Sequence, residues 1–136
     1  MEAAAAEPDS KMDRVAEAAR LLDEASGDIA VGELDAAVEK YRRCTELDPE
    51  GFDGWHALGM ALMKTGRYPE AIEAGLRATR LRPNDQLAWS SLSMFYVRNH
   101  QIPEAEAAGT KARILSWGAK IAPEPAGSEP DAPSTP

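Results

Sequence analysis

Residues 52–85 read FDGWHALGMALMKTGRYPEAIEAGLRATRLRPND, and this stretch decides the fold. Trp55, Leu58 and Leu62 follow one another at steps of three and four residues, which return to the same side of an α-helix. Gly66 then suits a turn that needs positive φ, and Pro69 suits the first turn of a second helix, where its missing N–H costs nothing. That second helix carries small residues at Ala71 and Ala78, as the first does at Gly59, so the two can approach closely. Tyr68, Leu76 and Leu81 are the expected fillers of the space between them. Pro83 ends the pair, because proline disfavours helical geometry in the residue before it.

The same pattern returns at a spacing of 34 residues. Downstream, Trp55, Leu58, Pro69, Glu70, Ala71, Ala78 and Leu81 recur as Trp89, Leu92, Pro103, Glu104, Ala105, Ala112 and Leu115. This third copy, residues 86–119, departs from the second by placing Ser93 opposite Gly59 and Trp117 opposite Pro83. Upstream, residues 18–51 repeat the second half of the pattern, with Gly32, Leu34, Ala37, Thr45, Leu47 and Pro49 opposite Gly66, Tyr68, Ala71, Thr79, Leu81 and Pro83. The first half of that copy is degenerate. Leu21 stands for the Trp, Glu24 and Ala25 stand for Leu and Gly, and Gly27 falls inside the helix at a cost of about 1 kcal/mol relative to Ala.

Period and residue set together resemble the tetratricopeptide repeat. The resemblance implies an all-α fold, a right-handed α-solenoid of about three helix–turn–helix pairs, because one pair cannot bury its apolar face alone and several must stack. The expected organisation is an acidic tail over residues 1–11, a repeat domain over 12–121 and a Pro-rich acidic tail over 122–136, with both tails too poor in apolar surface to order. It also implies binding in place of chemistry, with the first helix of each pair lining a concave groove. Family positions map the groove onto Asp53, His56, Met60, Met63 and Lys64 of the second copy and Leu87, Ser90, Met94, Val97 and Arg98 of the third.

Methionines and aliphatic residues bordered by Lys64, Arg98 and Asp53 suit an amphipathic helix or an extended apolar peptide, since flexible Met side chains adapt to a partner's shape. The competing reading of these Met residues is interior packing. One subclass of the family grips acidic chaperone tails with a Lys, Asn and Arg clamp, and the corresponding positions here are Leu87, Ser91, His56 and Ala57, so that ligand is disfavoured.

Composition narrows the field further. The chain of 136 residues has 15 Lys and Arg against 23 Asp and Glu, a net charge of −8 that argues against nucleic acid as a partner. Arg77, Arg80 and Arg82 cluster near the end of one helix, where solvation and compensation of the helix dipole account for them. No apolar run approaches the roughly 18 residues of a membrane-spanning helix, and residues 1–10 are acidic where a secretion signal would be basic then apolar, so a cytoplasmic protein without membrane insertion is expected. The single cysteine, Cys44, occupies the small position equivalent to Ala78 and Ala112 and reads as a buried structural thiol. His56 and His100 lack any surrounding catalytic motif, and neither a phosphate loop nor a metal-ligand pattern is present, so no enzyme activity, cofactor or metal is expected.

The third copy's last helix ends in Ile114, Leu115, Trp117 and Ile121 with no repeat after it. Two readings follow. Trp117 and Ile121 either fold back as a local cap, with Gly118 as the helix stop, or they form a homodimer contact; the cap is favoured.

Overall fold

The computed structural model describes residues 9–123, and the expected tails over 1–8 and 124–136 lie outside the described residues. Six helices follow one another: α1 Lys11–Ala30, α2 Leu34–Leu47, α3 Phe52–Lys64, α4 Tyr68–Leu81, α5 Gln86–Arg98 and α6 Ile102–Ser116, with no strand among the described residues. The starts of α2, α4 and α6 are 34 residues apart, as are those of α3 and α5, so the helix boundaries obey the period of the sequence. The chain is therefore an all-α solenoid built from helix pairs.

α1 departs from that register at its front. It begins before position 18, capped by the Ser10 hydroxyl, whose oxygen accepts a bond from the Asp13 N–H at 3.0 Å. It then continues through Gly27 without a break, because an exposed glycine costs propensity but removes no backbone hydrogen bond.

Within each pair the turn is the same. Gly32 and Gly66 hold φ of 84° and 82°, and the residue after each bonds back to the first helix, Glu33 N–H to Asp28 C=O at 2.8 Å and Arg67 N–H to Leu62 C=O at 2.9 Å. The third turn keeps this geometry with Gln101 N–H bonded to Tyr96 C=O at 2.9 Å, yet the positive φ of 61° falls on His100. A histidine tolerates that region better than a branched residue, at some strain.

Between pairs, the residues before Pro49 and Pro83 leave helical geometry, Asp48 at φ −139°, ψ 75° and Arg82 at φ −134°, ψ 78°, and turn the chain into the next helix. Each repeat tryptophan latches this turn: Trp55 Nε1–H donates to the Pro49 carbonyl and Trp89 Nε1–H to the Pro83 carbonyl, both at 2.8 Å. A cation from the second helix of the same repeat lies over each indole, Arg77 over Trp55 and Lys111 over Trp89, both 4.5 Å from the ring centroid.

The core runs the length of the stack and is built on small residues. Ala25, Ala37 and Ala71 are buried, and a Cβ on Gly59 would come within 2.8 Å of the Phe95 ring, so Gly59, together with Gly75 on α4, lets α5 settle on the second repeat. Cys44 is buried as expected; its thiol donates to the Ala18 carbonyl at 3.3 Å, and burial pushes its pKa up to about 11, which makes it inert.

Two expectations are corrected. Leu76 does not fill the interior but is 38% exposed, because the inner face of α4 is occupied by Ala71, Ala74 and Ala78 and the face toward α5 by Ile72, Gly75 and Thr79. Trp117 is no cap. It is 72% exposed, and the fold-back is made without it: Gly118, at φ 90°, ends α6, and the Asn84 side chain accepts from the Ile121 and Ala122 N–H groups at 3.1 and 3.3 Å while donating to the Ala122 carbonyl at 2.9 Å.

Candidate functional site

The direction of curvature locates the site. Successive first helices touch, α1 with α3 and α3 with α5, whereas α2, α4 and α6 do not touch one another through their backbones. Long side chains span the gap on that side, Arg42 to Glu70 at 3.1 Å and Arg67 to Asp35 at 3.0 Å. A stack whose members are closer on one side curves toward it, so α1, α3 and α5 form the inner wall.

Along that wall the expected groove residues fall into three groups. Asp53, Lys64, Leu87, Ser90, Val97 and Arg98 are exposed; His56, Met60 and Met94 are half-buried, the two methionines resting on the core. Met63 belongs to the core itself at 8% exposure, which is the interior-packing reading weighed for these methionines. Its equivalent one repeat later, Val97, is 47% exposed, because no further helix among the described residues covers it.

His56 ties the wall together. Its Nε2 lies 2.9 Å from the Oγ of buried Ser91 on α5, and its ring stacks on Phe52 with centroids 5.5 Å apart. Burial lowers its pKa below the ordinary 6.5, with Asp85 and Asp53 opposing, so the imidazole is neutral at neutral pH. Of the clustered arginines, Arg77 covers Trp55 and Arg82 lies 4.3 Å from the Phe52 ring centroid, so both serve local packing.

Because α1 is continuous, it extends the wall with residues that the family mapping had left out. Shifting the groove set back by 34 residues gives Ala19, Leu22, Ser26, Ile29 and Ala30, of which Leu22 and Ile29 are half-buried against the core. The 34-residue shift alone would have found them; the degenerate appearance of the first copy hid them. Beside Leu22, a cleft of about 280 Å³ opens between α1 and α3, reaching Ala18, Phe52, Asp53 and Arg82. Among the described residues no group of three or more His, Cys, Asp or Glu side chains could hold a metal ion, and no helix is long and apolar enough to cross a membrane.

The fold and the wall define a helical-repeat scaffold with an open inner surface. A tetratricopeptide repeat family model matches residues 22–86, and the remaining helices carry the same 34-residue period. The second TPR of Spaghetti (RPAP3), in a structure bound to the HSP90 peptide SRMEEVD, is similar at a TM-score of 0.72 and 20% identity, covering 77% of this chain and 96% of that one. MamA AMB-1 is similar at a TM-score of 0.71 and 28% identity, covering 76% of this chain and 57% of that one. The Yersinia enterocolitica type III secretion translocator chaperone SycD is similar at a TM-score of 0.70 and 17% identity, covering 75% and 77%. Among curated protein sequences none matches the chain.

Proposed function

We propose that the chain is a non-catalytic interaction module that holds a partner polypeptide, an amphipathic helix or an extended apolar segment, against the inner wall of α1, α3 and α5. The observation that carries this reading is the strip of accessible apolar side chains on three successive first helices, Leu22 and Ile29, then Met60, then Leu87, Met94 and Val97, with Lys64 and Arg98 at one end and Asp53 at the other. Solvated apolar strips rimmed by charge are the usual mark of a binding surface. Peptide and protein complexes among the similar structures support the same class of activity. Leu87, Ser91 and His56 stand where a clamp for acidic chaperone tails would need cations and an amide, so the partner surface is expected to be apolar.

The test is affinity capture from source lysate with the wild-type chain, a Met60→Glu/Met94→Glu variant and a Lys64→Glu/Arg98→Glu variant. Polypeptides retained by the wild type and lost by both variants establish the inner wall; the second pair is exposed, so its loss of binding is not a loss of fold. Retention by both variants moves the function to another surface.

A further inference from the structure

The outer face of the third repeat carries a pattern that the other repeats lack. On α4 the positions Ile72, Gly75 and Thr79 are buried, and a Cβ on Gly75 would meet the Leu92 and Phe95 side chains at 3.1 Å, so α5 covers this face. On α6 the equivalent residues are Glu106, Gly109 and Arg113, flanked by Ile102 and Trp117; a Cβ on Gly109 would meet the Ser93 hydroxyl of α5 at 3.4 Å, and among the described residues no further helix follows to cover this face. Ile102 is 49% exposed, and a concavity of about 480 Å³ is lined by Val97, Ile102, Glu106, Gly109, Thr110 and Arg113. The exit of α6 leaves this face open, because Ser116 stays helical where Arg82 leaves helical geometry, Trp117 at φ −86° stands in place of Pro83, Gly118 follows at φ 90°, and Asn84 draws the chain back to the α4–α5 turn.

A second copy cannot cover α6 in the way α5 covers α4. The residues of α1 equivalent to Leu92 and Phe95 are Glu24 and Gly27, both exposed, with Glu24 already paired to Arg20 and Lys40. Stacking α1 of another molecule on α6 would bury an acid where a leucine is needed, so head-to-tail growth is blocked.

The stripe on α6 instead complements itself. Ile102, Glu106, Gly109, Thr110, Arg113 and Trp117 share one side of the helix at steps of three and four, and their chemistry runs apolar, acidic, small, small, basic, apolar. We infer that two copies pair antiparallel through α6 about a two-fold axis between Gly109 and Thr110. In that register Glu106 faces Arg113 of the second copy, Arg113 faces its Glu106, and each Ile102 meets the other's Trp117. The small residues at the axis let the helices approach, and a two-fold contact uses the same patch twice, as closed dimers require. Val97 at the end of α5 borders both surfaces, but Ile102, Glu106, Gly109, Thr110, Arg113 and Trp117 lie outside the inner wall, so the groove over α1, α3 and the front of α5 stays open in the dimer.

Sedimentation velocity on the full chain, from about 1 µM to about 1 mM at low salt, reads the dimer directly. Glu106→Arg and Arg113→Glu alone each place two like-charge pairs in the contact and raise the dissociation constant at least about tenfold. The double exchange restores opposite charges in the same register and returns association close to the wild type. The proposal is overturned by a wild type that stays monomeric throughout, by a dimer indifferent to either single exchange, by failure of the double exchange to restore it, or by loss of the dimer in Met60→Glu/Met94→Glu. All exchanged charges are exposed, and an unchanged thermal melt separates lost association from lost fold.

Discussion

In the second repeat Trp55 bonds the preceding proline carbonyl and carries Arg77 on its face; in the first repeat the same position is Leu21, and the helix pair is tied instead by polar contacts. Lys40 on α2 reaches Asp28 and Glu24 of α1 at 2.8 and 3.7 Å, and the Tyr41 hydroxyl lies 3.3 Å from that of Ser26. Yet α1 ends, and α2 begins and ends, at positions 34 residues before α3 and α4 do. What both repeats keep is the set of small buried residues, Ala25 and Ala37 in one and Gly59 and Ala71 in the other. The comparison teaches that close approach of the helices defines the repeat, while the large residue at its mouth adds stability that other contacts can partly replace.

Truncating the large residue should separate the two repeats most clearly. Trp55→Ala removes a half-buried indole, its hydrogen bond and its cation, and is expected to cost about 3 kcal/mol, against about 1 kcal/mol for Leu21→Ala, both read by urea denaturation. Equal losses would mean that the tryptophan latch adds nothing. Adding a methyl group tests the small positions from the other direction: Gly59→Ala drives a Cβ into the Phe95 ring and should destabilise by about 1–3 kcal/mol.

Gly27→Ala, in the first repeat, has no atom within 4 Å of the new Cβ and should stabilise by about 0.5–1 kcal/mol. A destabilised variant would show that α1 is not helical through this residue. The third repeat offers a similar test at its turn, where His100→Gly relieves the positive φ and should raise stability by up to about 1 kcal/mol.

The smallest effect concerns pH and the inner wall. Burial holds the folded-state pKa of His56 below its ordinary 6.5, so the unfolded chain takes up the proton first as pH falls, and this contribution to stability is present above 6.5 and lost toward the lower folded value. Acidification from about pH 7.5 to about pH 5 should therefore lower the melting temperature more in the wild type than in His56→Gln, by less than about 4 °C. An identical pH response in the two proteins would mean that the imidazole is not desolvated by the α3–α5 contact.

Local chemistry made most of this legible in the chain itself. The 34-residue period, Gly66 and Pro69 at the turn, and Pro49 and Pro83 at the exits dictate where helices start and stop, because backbone freedom is a property of the residue and its neighbours in sequence. The groove positions came from the family resemblance, laid onto that period. Which of them a partner could touch did not, since Met63 and Val97 occupy one repeat position and differ only in whether another helix lies over them. Continuity of α1 through Gly27, the exposure of Leu76 and Trp117, and the capture of residues 121–122 by Asn84 were likewise decided by tertiary contact. Burial depends on what the rest of the chain brings to a side chain, and helical spacing places a residue on a face without saying what will cover it.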